Sequence, residues 1–152
     1  MPQDFLTTPE RLRYQTVPAN LLEADIRQHF HLTEADHVFL TSFRGAANRL
    51  GLALQLGVLR LMDFLPEAWV SQLPPEAVAF VATQLATEAT HLVHYGARQQ
   101  TRSDHFLAVL RHLGFRKWEP LDATWLEPWL VERALEHDGN RVLLAMTCLK
   151  LH

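Results

Sequence analysis

The chain has almost none of the features that mark a secreted, membrane-bound or strand-built protein. It holds a single cysteine, Cys148, in 152 residues. One thiol closes no internal disulfide and fits a reducing cytoplasm, where it reads as a packing residue. No apolar run is long enough to cross a bilayer. The start, Met1-Pro-Gln-Asp-Phe5, has neither a basic stretch nor an apolar core, so it is no secretory signal. Alternating apolar and polar runs rich in β-branched residues are missing, and no strand of any length is predicted. Without strands there is no strand–loop–helix phosphate cradle, and no Gly-x-Ser-x-Gly turn occurs. Internal repeats and low-complexity tracts are missing too.

What the sequence does have is nearly continuous helical periodicity. Its centre is the run Arg44-Gly-Ala-Ala-Asn-Arg-Leu-Gly-Leu-Ala-Leu-Gln-Leu-Gly-Val-Leu-Arg60. Leu50, Leu54, Val58 and Leu61 line one face of this helix, and Leu52, Leu56 and Leu59 line another. A helix apolar on every side must be enclosed by other helices. Helix starts are marked by Thr8-Pro-Glu, by Asn20-Leu-Leu-Glu23 and by Thr33-Glu-Ala-Asp36, the last two with an acid three residues after the cap. Helices are predicted over 9–16, 20–30, 34–42, 45–62, 75–86, 88–95 and 99–113, the last closed by Gly114. Two more are predicted at 122–136, kinked or broken at Pro128, and from 141 to the end. The fold class is therefore all-α, a compact bundle of about eight helices around a long central one. Pro66, Pro74 and Pro75 mark a junction, which divides the chain into lobes at 1–63 and 64–152. The final helix stops uncapped at His152, which reads as a trimmed segment or a longer parent chain.

The net charge of -3 is unevenly spread. Residues 41–62 carry +3 and residues 89–118 carry +4, leaving -10 for the remainder. Phosphate attraction follows local potential, so a mildly acidic chain can own a basic face. Segregation of this kind also arises by chance on ordinary helix surfaces. On a helical wheel Arg98, Thr101, Arg102, His105 and His112 fall within an arc of about 100°. Phe106, Leu107, Leu110 and Leu113 fill the adjoining arc. One side of this helix is expected to pack and the next to meet a duplex, although a solvated amphipathic face explains the same pattern. The candidate groove residues are Arg98, Thr101, Arg102 and His105. The candidate phosphate contacts are Arg44, Asn48, Arg49, Arg111, Arg116 and Lys117. Gln55 and Arg60 lie on the enclosed helix and read instead as core or bridging groups.

Nine histidines raise a metal reading, but His91 and His94, and His29 and His31, lack a carboxylate or cysteine at a zinc-site spacing. They read as exposed or capping residues. No acid/base pair of carboxylates stands out. No catalytic site, cofactor or metal site is expected in these residues, and a metal-dependent enzyme is the weakest of the readings. Trp118, Trp125 and Trp129 cluster by an acidic segment, which motivates a helical protein-interaction module as the alternative to DNA binding.

The run Arg44-Gly…Asn48-Arg-Leu-Gly…Ala53…Gln55-Leu…Leu59-Arg60 resembles the N-terminal domain of bacterial replicative transposases of the Tn-three family. So does Tyr95…Arg98…Thr101-Arg…His105…Leu110-Arg…Leu113-Gly-Phe-Arg116, and so do the opening Thr8-Pro-Glu and the stretch from His31 to Asp36. Leu61-Met-Asp-Phe64 departs from the family, which often has Tyr-Pro-Gly there. The resemblance implies a fragment that recognises the terminal inverted repeats of a transposon as double-stranded DNA. It implies a catalytic core of Asp-Asp-Glu type in a downstream region, outside these residues. The implied partners are the transposon ends, that downstream region and, in the full-length protein, a second copy. The implied location is the bacterial cytoplasm, on the nucleoid when bound, with no membrane.

Overall fold

A computed structural model describes residues 8–116, 119, 124–129 and 131–132. Seven α-helices and one 3-10 helix follow one another, and there is no strand among the described residues. They are α1 (Thr8–Gln15), α2 (Glu23–His29), α3 (Glu34–Thr41), α4 (Ala46–Met62), α5 (Trp69–Gln72), α6 (Pro75–Gln84), the 3-10 helix Ala89–His94 and α7 (Gln99–His112). Residues 124–129 are also helical and run through Pro128 without a break. The predicted final helix lies outside the described residues.

Local chemistry sets most boundaries. Thr33 opens α3, its hydroxyl accepting from the Asp36 N–H (3.2 Å) while the Asp36 carboxylate accepts from the Thr33 N–H (2.8 Å). This reciprocal pair satisfies two donors at the helix start. The second helix begins at Glu23 rather than 20, because Asp25, not Glu23, reaches back to a backbone N–H, that of Leu22 (3.2 Å). Pro74 and Pro75 start α6 as their fixed φ requires. Asp63 ends α4 in the left-handed region (φ 63°), a conformation that aspartate tolerates better than most side chains. Gly114 (φ 81°) closes α7, with the Phe115 N–H turning back to the Leu110 carbonyl at 2.9 Å. The segment 89–94 winds as a 3-10 helix instead of the α-helix predicted there, and ends where Tyr95 turns into the core.

Every residue of α4 from Leu50 to Leu59 is buried, as an all-apolar helix requires. It packs against α2, α3, α6, the 3-10 helix and α7. One hydrophobic cluster runs from Val17 through α4 to Val109. Two glycines let large rings lie on the α4 backbone: Gly51 receives Tyr95 and Gly57 receives Phe30, with no room for a Cβ at either. Two glutamines fasten the early chain to the middle. Gln84 accepts from the Leu32 N–H (2.8 Å) and donates to the Phe30 carbonyl (3.0 Å). Gln72 accepts from the Val17 N–H (2.8 Å).

Candidate nucleic-acid interface

The two basic stretches meet through aromatic contacts. Phe43 sets its ring edge-on to His105 (5.3 Å between centroids), and Phe39 stacks on His112 (4.3 Å). The loop carrying Arg44 thus lies against the helix that carries Arg102 and Arg111. At the start of α4, Gly45 (φ 89°) is the N-cap, no side chain caps the helix, and the first turn holds no acid. Such a terminus presents backbone donors and a partial positive charge. Asn48 is half-buried and donates to the Arg44 carbonyl (2.9 Å), while the Arg49 Nε donates to the Phe43 carbonyl (2.8 Å). Arg44 and Arg49 are both exposed.

On α7 the outcome differs from the wheel. His105 does not face a groove. It is 8% exposed, its Nδ1 is 3.3 Å from the Tyr95 hydroxyl, and its ring stacks on Tyr95. Burial pulls its pKa below the ordinary 6.5, against the opposing pull of Asp104, and so favours the neutral ring. His112 also turns inward, its Nε2 2.7 Å from Asp36 Oδ1. The arc read as polar is therefore the packing arc from His105 through Val109 to His112, because each imidazole finds a polar partner inside. Leu107, expected to pack, is 42% exposed. Arg98, Arg102 and Arg111 are exposed, and Thr101 is half-buried. The Arg102 stem crosses Gly96, leaving no space for a Cβ there.

Arg60 behaves as a bridging group. Its Nη2 lies 2.9 Å from both oxygens of the buried Asp36, and its Nη1 donates to the His31 carbonyl (3.2 Å). Burial raises the Asp36 pKa, but the Thr33 N–H, His112 and Arg60 outweigh it and hold the carboxyl below its ordinary 3.8. One of the three cations in 41–62 is thus consumed inside the fold. Among the described residues, Arg44, Arg49, Arg98, Arg102 and Arg111 have no carboxylate within ion-pair distance, whereas Arg27 pairs with Glu23. Arg116 is exposed and engaged in contacts of its own, and Lys117 lies outside the described residues.

The cations are not all on one hollow. Arg49 borders a concavity of about 650 Å³ between α3, the start of α4 and the end of α6. Arg102 borders another of about 440 Å³, with Gln55, Glu67, Trp69 and Phe106. Gln55 is 1% exposed and its Nε2 donates to the Tyr95 hydroxyl (2.7 Å). The Tyr95–Gln55–His105 chain was not legible as a unit in the sequence. Its one signal was a lone amide inside a helix of leucines.

The chain matches, over residues 5–152, the protein family described as "Domain of unknown function (DUF4158)". It is 32% identical over 120 residues to the transposase for transposon gamma-delta of Escherichia coli (strain K12), covering 78% of this chain and 12% of that protein. It is 30% identical over 142 residues to the transposase for transposon Tn21 of Escherichia coli, covering 93% of this chain and 14% of that one. It is 24% identical over 147 residues to the transposase for transposon Tn1546 of Enterococcus faecium, covering 97% and 14%. The chain spans 12 to 14% of the length of these relatives. No helix among the described residues is long and apolar enough to cross a membrane.

Proposed function

The chain belongs to the DUF4158 family and is related to transposases of the Tn-three family, and from that premise we propose that it binds the terminal inverted repeats of a transposon as double-stranded DNA. The observation that carries this reading is the set of exposed arginines, Arg44, Arg49, Arg98, Arg102 and Arg111, left without carboxylate partners. A fold that neutralises the partly enclosed guanidinium of Arg60 yet leaves these unpaired holds positive charge available to phosphates.

In this reading Arg98, Arg102 and the edge of Thr101 meet the groove, and His105 supports them from beneath. Arg44, Asn48, Arg49, Arg111 and Arg116 contact phosphates, helped by the uncapped start of α4. The downstream part of the parent protein would supply the chemistry.

Fluorescence anisotropy with a terminal-repeat duplex and a scrambled duplex, at two salt concentrations, tests the proposal. Saturable binding that weakens with salt is expected. Arg102→Ala should cost about tenfold more on the repeat than on the scrambled duplex, as lost base contacts do. Arg111→Ala should weaken both equally and reduce the salt slope by about one unit. Absence of saturable, salt-sensitive binding would favour the helical protein-interaction module instead.

A further inference from the structure

The hollow beside Arg102 contains an unsatisfied group. Gln55 Oε1 is buried without a hydrogen-bond partner. Its isolation follows from the chain of bonds around it. In the tautomer whose Nδ1 is unprotonated, the neutral His105 ring takes the single proton of the Tyr95 hydroxyl (3.3 Å). The hydroxyl oxygen then accepts from the Gln55 amide N–H (2.7 Å), and no donor is left for Oε1. A buried acceptor in this state costs stability and calls for a partner that the fold itself does not supply.

The surroundings define the ligand's chemistry. Trp69 and Phe106 line it with aromatic side chains, and the exposed Ser103, Glu67 and Arg102 border it. A planar group with an N–H edge, attached to an anionic chain, matches all three requirements. We propose that the hollow between α4, α5 and α7 takes one nucleobase unstacked from the bound duplex, its N–H edge donating to Gln55 Oε1 while Arg102, in the groove, lies beside the position the base has left. The hollow, about 440 Å³, has room for one base. This inference rests on the DNA-binding reading above. Unstacking is easiest at flexible pyrimidine–purine steps and at weakened pairs, so the pocket would read the deformability of the repeat as well as its sequence.

The test uses the full chain and terminal-repeat duplexes in which an abasic site is placed opposite each base in turn, weakening one pair at a time. Binding is read by anisotropy. One position on one strand should bind about fivefold tighter than the intact duplex, because its base leaves the stack more easily. Ser103→Trp, which plugs the hollow from an exposed position, should abolish that gain and weaken binding to the intact repeat severalfold, while circular dichroism stays at wild type. Gln55→Met should reduce the gain too. A gain spread evenly over all positions, or one that survives Ser103→Trp, overturns the pocket but leaves DNA binding standing. Failure of every duplex to bind overturns the DNA reading, and the pocket with it.

Discussion

Gly57 sits where the Phe30 ring, 1% exposed, lies flat on the α4 backbone. A methyl group there must displace an enclosed ring that has nowhere to go. Gly57→Ala should lower stability by about 1–3 kcal/mol, the usual cost of overpacking a filled core. Gly114→Ala meets open space but sits at φ 81°, so it should cost about 1 kcal/mol through backbone strain alone. Urea denaturation of both variants checks this, and a wild-type midpoint for Gly57→Ala would mean that Phe30 is not pinned. At the same scale His105 shows what a wheel cannot tell. The spacing of Arg98, Arg102 and His105 fixes their shared arc, but not whether that arc turns inward. Histidine suits either side, since its ring is apolar and its nitrogens need partners. The Tyr95 hydroxyl, ten residues away, decided it.

The joint between α3, α4 and α7 rests on one carboxylate. Asp36, fully buried, holds the start of its own helix through Thr33, the end of α4 through Arg60, and the end of α7 through His112. Asp36→Asn should cost on the order of 3 kcal/mol at neutral pH, since it leaves Arg60 without its counter-charge. Its carboxyl titrates lower folded than unfolded, so its contribution is complete above 3.8 and is lost as pH falls through the folded value. Wild type should therefore destabilise on acidification below 3.8, and Asp36→Asn should lose less over that range in thermal melts. Parallel acid profiles for the two proteins would show that the carboxylate is not the joint. The Thr33–Asp36 cap was readable because its partners are three residues apart. The bonds to Arg60 and His112 span 24 and 76 residues, and no local pattern encodes them.

Across the whole molecule, the all-α class was legible because periodicity, caps and prolines agree from α1 to α7. The charged surface was only half legible. Counting cations by segment located the basic regions, but not the internal use of Arg60 or the separate hollows bordered by Arg49 and Arg102. Pairing inside a fold subtracts charge that composition still counts. The glutamine clasps act at this scale as well. Because Gln84 and Gln72 tie α5 and α6 back to residues preceding α3, the halves on either side of the exposed Glu67–Ala68 turn are sewn together by more than their greasy faces. A protease nick at that turn should therefore leave a two-piece particle that elutes as one peak on gel filtration and parts only in denaturant. Two peaks under native conditions would contradict it. A scissile turn in a molecule so stitched is a seam that can be opened without the garment coming apart.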